Sequence, residues 1–283
     1  MKPLLAHVYE PHRVTFPLYA QPKLNGIRAL YQAGNFQSRD ELPWSPGILS
    51  HISDELRDIF SDRTILDSEL YVHGWPLQRI NGAVTPVRTS QREDTSLVEC
   101  HVFDQVDYTK SFEERWSLLP HGLQLGKVKF IHTAKLFNFR ELDLFYAEQV
   151  ALGYEGIMVR LGDCPYTTPL QEWNGKWNVP NHRVRRLSDK NNRTWHLLKR
   201  KNWLDAEFLI TGFNRTVGKL GEPGFQLWCK TKEDRTFSVG SGLTAADQNY
   251  YEANNPAGKQ AKVQFLCLSD ERIPLNPTLI AIL

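Results

Sequence analysis

The spacing of apolar and polar residues along the first two thirds of the chain predicts alternating strands and helices. Apolar and aromatic residues on both sides of the stretch 21–28 predict a strand, a tight turn and a second strand. Apolar residues at helical spacing, or the capping-box signature of Ser111 and Glu114, predict three helices, at 50–60, 111–119 and 141–152. Alternating patterns and short apolar runs predict further strands at 36–40, 64–72, 97–106, 155–160 and 195–199.

After residue 204 the pattern changes to short strands separated by glycines. Strands are predicted at 207–213, 225–231, 236–239 and 262–268. This spacing is typical of a small five-stranded barrel. We therefore predict an α+β fold with a domain boundary near residue 204. Residues 1–15 are expected to form an arm, and 162–194 a loop.

Length and composition are those of a soluble globular protein with room for two domains. The 283 residues are 41% hydrophobic and 23% charged, and the formal net charge is only +2, so a nucleic-acid surface requires local clustering of cations. The four cysteines are far apart and form no C-x-x-C pair, which favours free thiols in a reducing cytoplasm. With no leader pattern and no apolar run near the roughly 20 residues that span a bilayer, we expect a cytoplasmic protein without a membrane partner.

The stretch 21–28 contains the first candidate for catalysis. Lys23 precedes the predicted turn, Gly26 lies in it, and Arg28 follows on the next strand. A partly buried lysine can act as a nucleophile, because burial and neighbouring cations lower its pKa. Gly26 allows a positive φ or a close approach to a ligand, and Arg28 offers a planar fork for a phosphate. Taken alone, the stretch fits an ordinary hairpin with a surface lysine better.

Six short motifs in a fixed order change that interpretation. They are Lys23–Arg28, Ser38–Arg39, Leu66–Leu70, Phe103–Asp104, Glu155–Arg160 and Leu197–Lys201. With them the chain resembles the ATP-dependent polynucleotide ligases, specifically the minimal two-domain DNA ligases of phages and bacteria, over nearly its whole length. The resemblance implies a nucleotidyltransferase (adenylation) domain with antiparallel sheets over 1–204 and a small OB-fold β-barrel over 205–283. It also implies ATP as cofactor and nicked duplex DNA as partner.

The resemblance implies that Lys23 attacks the α-phosphate of ATP and forms a phosphoamide with AMP. It assigns nucleotide binding to residues on or beside the motifs: Gln21, Lys23, Arg28, Glu69, Phe103, Lys199 and Lys201. Phe103 would stack on adenine, although a phenylalanine on an apolar strand is by default a core residue. Lys199 and Lys201 alternate on a strand, so both can face one phosphate, and we predict that they act in catalysis with Lys23. Without the other motifs they would indicate a solvated strand face.

Glu155 and Glu69 are the predicted metal ligands. A hard Mg²⁺ ion, or Mn²⁺ in its place, needs only one or two protein carboxylates beside phosphate oxygens and water. The resemblance also implies that Glu69 accepts hydrogen bonds from the ribose. The alternatives are a surface glutamate in a turn for Glu155 and a strand salt bridge for Glu69. Asp104 is expected to order the site without acting in catalysis.

A basic run lies near the end of the predicted first domain. Between His182 and Lys201, eight lysines and arginines stand against one aspartate. We hypothesise that this run contacts DNA phosphates around a nick. The alternative is a solvated loop. The predicted DNA contacts are Arg39, from the second motif, and Arg183, Arg185, Arg186 and Arg193.

Three departures from the family pattern bear on function. Asn25 stands where the adenylation motif usually has Asp, Ser68 stands where the ribose motif usually has Gly, and residues 279–283 contain no cation.

The expected function is a monomeric DNA ligase that uses ATP and Mg²⁺. One rival is an RNA ligase or an RNA-capping guanylyltransferase with the same lysine chemistry. The other is a nick-binding OB-fold protein with an inactive adenylation site, a rival that Asn25 keeps open.

Overall fold

The computed structural model describes residues 3–87, 89–121, 123–166, 193–217, 223–269 and 271–283. The chain divides into two compact units, residues 1–200 and 201–283. Helices and strands occur together in both units, which confirms the predicted α+β class. No helix in the described ranges has the length and apolar character needed to cross a bilayer.

The first unit contains eleven described strands and four described α-helices. Its strands are β1 (Leu5–Val8), β2 (Leu18–Pro22), β3 (Ile27–Gln32), β4 (Asn35–Ser38), β5 (Ile65–Tyr71), β6 (Glu99–Gln105), β7 (Gln124–Leu125), β8 (Val128–Phe130), β9 (Ala134–Leu136), β10 (Gly156–Leu161) and β11 (Arg193–Lys201). Its helices are α1 (Ser50–Ile59), α2 (Leu77–Val84), α3 (Phe112–Ser117) and α4 (Phe139–Ala151).

These strands form two sheets. Sheet A has the order β1-β11-β10-β2-β9, and sheet B has the order β4-β3-β5-β6-β8-β7. In sheet A, β2 pairs antiparallel with both β9 and β10, whereas β1 pairs parallel with β11. The chain passes from sheet A to sheet B between β2 and β3, at the turn that was the first candidate for catalysis.

The two sheets and the helices pack in layers, each joined to the next by an apolar cluster. Helix α4 packs Leu142 and Phe145 against one face of sheet A. The other face of sheet A meets sheet B through Leu4, Ala6, Leu30, Val106, Tyr166 and Leu197. Helices α1 and α2 cover the far side of sheet B with Ile52, Leu56, Ile80, Ala83 and Val84.

The second unit is a five-stranded antiparallel sheet, here called sheet C, with one helix. The strands are β12 (Leu204–Val217), β13 (Pro223–Lys230), β14 (Thr236–Val239), β15 (Gln260–Phe265) and β16 (Thr278–Ile282), and the helix is α5 (Ala245–Ala253). The order is β14-β13-β12-β15-β16. A single bridge between Ser241 and Thr278 links the two edges. The number of five strands matches the prediction, although only β12 to β15 had been located in the sequence, and the edges are not joined by a continuous ladder as in a closed barrel.

Several elements differ from the predictions. Residues 1–15, predicted as an arm, contain β1, whose partner β11 lies at the other end of the first unit. The predicted loop 162–194 is wrong at its end, because β11 already begins at Arg193. Residues 167–192 lie outside the described part of the chain. Helix α2 contains Gly82, a poor helix former, and forms because its apolar face is buried against sheet B.

Candidate active site

Lys23 lies directly after β2, where the chain leaves sheet A. Its N–H donates to the carbonyl of Gly156 (2.9 Å), and its carbonyl accepts from the N–H of Glu155 (3.1 Å), so the ladder between β2 and β10 continues through the lysine. Its ammonium forms an ion pair with the carboxylate of Glu155. The Lys23 side chain is 18% exposed and that of Glu155 is 5% exposed. The amine is therefore held by ordered backbone and a buried carboxylate, yet solvent still reaches it.

Residue 26 has no room for a side chain, which explains the glycine at this position. A Cβ at this position would lie 2.3 Å from the carbonyl oxygen of Leu70 and 2.8 Å from Cγ of Glu69. The Gly26 N–H donates to Oε1 of Glu69 (3.2 Å). Of the two roles predicted for this glycine, the structure shows the close approach of backbone and not a positive φ.

Glu69 projects beside this turn from β5. Burial raises the pKa of Glu69 to about 7, although Lys23 and Arg28 act to lower it. Asp67, two residues earlier on the same strand, adds to the rise. A carboxyl group close to the candidate nucleophile therefore changes its charge near neutral pH.

Arg28 is bonded to acceptors within the protein. Its Nε donates to Oδ1 of Asp67 (2.8 Å), its Nη2 pairs with Oδ2 of the same residue, and its Nη1 donates to the carbonyl of Leu4. The Tyr166 hydroxyl also donates to Asp67 (2.7 Å), which is fully buried. Burial opposes the charged form of Arg28, but Asp67 outweighs it and raises the pKa of Arg28 above its ordinary value. The guanidinium fork meets a carboxylate here, so its assignment to a phosphate stays a prediction.

Asp104 is the centre of a second buried network. Arg115 donates to it through Nε (2.9 Å) and Nη2 (3.1 Å), and Arg160 donates through Nη1 (2.7 Å). Burial lowers the pKa of Arg160, against the opposite effect of Asp104. One carboxylate thus joins β6, α3 and β10, and hence the two sheets. This ordering role is the one expected for Asp104 from the sequence.

Gln21 and Phe103 meet between the sheets. The Gln21 amide nitrogen donates to the carbonyl of Phe103 and to the hydroxyl of Thr133, both at 2.9 Å, and its oxygen accepts from Nε of Arg160 (2.9 Å). The half-buried Phe103 ring has the guanidinium carbons of Arg28 and Arg160 at 5.4 and 5.5 Å from its centre. The Gln21 side chain is therefore committed to protein partners. Its contact with adenine, and the stacking of Phe103 on adenine, stay predictions.

The paired lysines lie at the end of β11. Leu197 is buried between the sheets, and because strand residues alternate, Lys199 and Lys201 fall on the same face of β11 as Leu197. Strand β10 lies between β11 and β2, so the strand of the paired lysines and the strand that leads into Lys23 are two strand spacings apart, or roughly 10 Å across the sheet. Nζ of Lys201 lies 5.6 Å from the ring centre of Trp203. Sheet A thus places the strand of Lys199 next to β10, which Glu155 directly precedes.

The carboxylates at the turn fit a metal ion that is shared with phosphates. In the described part of the chain, no three His, Cys, Asp or Glu side chains are grouped as a metal site made of protein alone would require. Glu155 and Glu69 flank the Lys23–Gly26 turn, one bonded to the amine and the other to a backbone N–H. A Mg²⁺ ion that takes its other ligands from phosphate oxygens and water needs no more than these two carboxylates.

The predicted DNA contacts are only partly described. Arg39 is 59% exposed after β4, with its guanidinium 3.7 Å from Asp40. Arg193 begins β11 and donates to the carbonyl of Ala6. The other three predicted contacts, Arg183, Arg185 and Arg186, lie outside the described residues.

Sequence reasoning gave no role to the side chains that hold the candidate site together: Asp67, Arg115, Arg160 and Tyr166. Asp67 and Arg160 lie on strands whose residues are mostly buried, and a charged residue at such a position must be paired. Arg115 lies three residues after the buried Phe112, on the core face of α3. The sequence pattern at these three positions therefore indicates a buried charge that needs a partner. No such pattern marks Tyr166, because it stands alone in a polar stretch.

Comparison with known proteins gives the family to which this fold belongs. A family model described as ATP dependent DNA ligase domain matches residues 3–177, more than half of the chain. The chain therefore belongs to the ATP-dependent DNA ligase family.

Relatives with assigned names agree with this family. The DNA ligase of African swine fever virus (strain Badajoz 1971 Vero-adapted) is 30% identical over 280 residues, an alignment that covers 90% of this chain and 61% of the viral protein. The DNA ligase of the isolate Tick/Malawi/Lil 20-1/1983 is 30% identical over 278 residues, with 90% and 60% covered. The chain thus spans about three fifths of the length of these relatives.

Solved structures share the fold. A Lig E DNA ligase superposes with a TM-score of 0.75 at 16% identity, covering 100% of this chain and 99% of the other. The Chlorella virus DNA ligase–adenylate superposes with a TM-score of 0.52 at 24% identity, covering 100% and 98%. At these identities the likeness concerns the fold alone. It confirms the predicted fold class of a nucleotidyltransferase domain followed by an OB-fold domain.

Proposed function

We propose that this chain is an ATP-dependent DNA ligase that joins a 5′-phosphate to a 3′-hydroxyl at a nick in duplex DNA. The observation that carries the proposal is the amine of Lys23, half-buried and paired with the carboxylate of Glu155, in a member of the ATP-dependent DNA ligase family. A lysine nucleophile must be held in place beside a group that can accept its proton, and the backbone pairing of Lys23 and the Glu155 carboxylate supply these two features.

In the first step, Nζ of Lys23 attacks the α-phosphorus of ATP. A nitrogen–phosphorus bond forms, the bond from the α-phosphorus to the bridging oxygen breaks, and pyrophosphate leaves. The ammonium must lose a proton before it attacks, and the Glu155 carboxylate already accepts a hydrogen bond from it. The product is AMP linked to Lys23.

In the second step, an oxygen of the 5′-phosphate at the nick displaces Lys23 from AMP and forms a phosphoanhydride. In the third step, the 3′-hydroxyl attacks the 5′-phosphorus, the phosphodiester forms and AMP leaves. Each step increases negative charge on phosphate oxygens, so catalysis depends on positioned cations. Lys199 and Lys201, on one face of β11, are the side chains proposed to supply them.

The remaining predicted contacts belong to the same proposal. Glu155 and Glu69 would hold Mg²⁺, which when bound neutralises phosphate charge. Gln21, Arg28 and Phe103 would contact the nucleotide. We assign residues 1–204 to the adenylation domain and 205–283 to the OB-fold domain, which binds DNA together with Arg39 and the basic run. The enzyme would act as a monomer in the cytoplasm of a bacterium or of a phage-infected host.

The first test is covalent labelling. The purified chain is incubated with ATP and Mg²⁺, and its intact mass is measured. We expect the addition of one AMP, and we expect Lys23→Ala to abolish it. Lys262→Ala is the control, because Lys262 is also half-buried and paired with a carboxylate, Asp205 at 3.1 Å, but lies on sheet C. Labelling that persists in Lys23→Ala would refute the assignment of the nucleophile.

The second test separates the rivals. Sealing is measured on nicked DNA, nicked RNA and single-stranded RNA, with ATP, GTP and NAD as competing nucleotides. We expect sealing of nicked DNA with ATP. Labelling by GTP, or sealing of RNA alone, would identify a capping enzyme or an RNA ligase. Binding of nicked duplex without any covalent labelling would identify the nick-binding protein.

A further inference from the structure

The strand that carries Lys199 pairs irregularly with its neighbour. Ala6 of β1 pairs with Thr194 of β11, but the next residue, His7, pairs with Leu198. Residues 195–197 therefore form a bulge opposite a single step of β1. Bulges of this kind change the direction in which the following side chains point.

Hydrogen bonds fasten the two strands on both sides of the bulge. Before it, the guanidinium of Arg193 donates to the carbonyl of Ala6. After it, the N–H of Tyr9 donates to the carbonyl of Lys199 (2.9 Å). A hydrogen bond to the partner strand thus lies on each side of the bulge, and the second of these bonds is made by the backbone carbonyl of Lys199.

The bulge determines which face of sheet A Lys199 occupies. Three extra residues are an odd number, so they place Lys199 on the face of sheet A opposite to the one it would occupy if β11 alternated without interruption from Thr194. Lys199 pairs with Val8, which alternation places on the same face as the buried Ala6. Leu197, two residues before Lys199, is buried in the same layer. Both observations turn Lys199 towards sheet B, the side to which Gln21 and Arg160 also point.

Trp195 anchors the bulge from the opposite side of the sheet. Its ring stacks on His7, with the ring centres 3.9 Å apart and the planes at 4°. The guanidinium carbon of Arg13 lies 4.3 Å from the centre of the same ring. Trp195 also packs against the cluster that contains Leu198 and helix α4. One residue of β1 and one residue that follows this strand therefore hold one side chain of the bulge.

We propose that Trp195 is a positioning residue, and that its contacts with His7 and Arg13 set the bulge that aims Lys199 at the α-phosphate of ATP. This inference rests on the proposed function. Trp195 lies on the face of sheet A that α4 covers, so it touches neither nucleotide nor reacting atoms. It acts by determining which face of sheet A the residues of β11 after the bulge occupy.

The test measures the single-turnover rate of Lys23–AMP formation at saturating ATP, together with the ATP concentration at half-maximal rate. For Trp195→Ala and Arg13→Ala we expect the saturated rate to fall about 10- to 100-fold, as expected when a catalytic group is misplaced by about 1 Å. Trp195→Phe, which keeps a ring for both partners, should restore the rate. Arg57→Ala, which removes an exposed ion pair with Asp54, is the control.

A double-mutant cycle distinguishes positioning from loss of structure. If Trp195 acts through Lys199, then Trp195→Ala adds no further loss in a Lys199→Ala background. Losses that multiply would overturn the inference while leaving the proposed function intact. A wild-type chain that forms no AMP adduct would instead overturn the proposed function. If circular dichroism shows that Trp195→Ala does not fold, Arg13→Ala carries the same cycle, and multiplying losses there overturn the inference equally.

Discussion

Replacing Glu69 by glutamine should remove a pH-dependent loss of stability. The pKa of the Glu69 carboxyl rises from 4.5 to about 7 in the folded protein, because burial opposes its charged form. Between these values the folded state holds a proton that the unfolded state has released. The folded state thus binds more protons, so this group's contribution to the free energy of unfolding falls as pH rises from 4.5 to 7.

The size of the effect follows from the same two values. A rise from 4.5 to about 7 corresponds to about 3 kcal/mol of stability that is present below pH 4.5 and lost above pH 7. Glutamine stays neutral throughout and keeps an oxygen that can accept the Gly26 N–H. The variant should therefore become more stable relative to wild type as pH rises, by up to about 3 kcal/mol.

Urea unfolding of wild type and Glu69→Gln between pH 4.5 and 8.5 measures this difference. Other groups titrate in the same range, but they are common to both proteins and cancel. Glu113→Gln is the control, because its hydrogen bond from Lys135 lowers the pKa of the Glu113 carboxyl, so the contribution of this group to stability does not fall as pH rises. A difference between wild type and Glu69→Gln that is flat, or that shrinks as pH rises, would refute the reasoning.

Three further substitutions test the packing around the site. Gly26→Ala would bring a methyl group within 2.3 Å of a backbone carbonyl oxygen, so we expect about 1–3 kcal/mol of destabilisation by urea and loss of AMP labelling; a stable, labelled variant would contradict this. Asp104→Asn leaves the buried guanidinium groups of Arg115 and Arg160 without their carboxylate and should cost about 3–5 kcal/mol; an unchanged urea midpoint would show that the network contributes nothing. Ser111→Ala removes the cap of α3 and should lower thermal stability by about 0.5–2 kcal/mol, with Ser111→Thr as the conservative control.

Elements with a local signal were predictable from the sequence. The capping box of Ser111 and Glu114 forms as predicted, and α1 and α4 lie within two residues of their predicted starts. Strand β1 was not predictable, because four residues carry too little periodicity and their partner is distant in the chain. Helix α2 was missed because Asn81 and Gly82 disfavour a helix, whereas burial of Ile80 and Val84 stabilises it.

The candidate site also contains residues that the sequence indicated and contacts that it did not. Lys23, Glu155 and Lys199 were found through motifs, and the strands on or beside which they lie, β2, β10 and β11, are neighbours in sheet A. The partner of Arg28 was not found, because it depends on register: Arg28 lies directly opposite Glu69 across β3 and β5, yet bonds to the diagonal neighbour Asp67. A sequence pattern shows that a charge is buried, but only the register of two strands shows which residue neutralises it.

The pairing of β1 with β11 has a consequence for biosynthesis. Sheet B is built from residues 27–130 of one continuous stretch, so a growing chain can complete it early. Sheet A cannot close until Arg193–Lys201 has left the ribosome, and until then Leu5–Val8 has no partner strand. The amine of Lys23 is in place long before the cations of β11 arrive. A nascent or truncated chain that ends before β11 therefore contains the reactive lysine but not the groups proposed to draw a nucleotide to it.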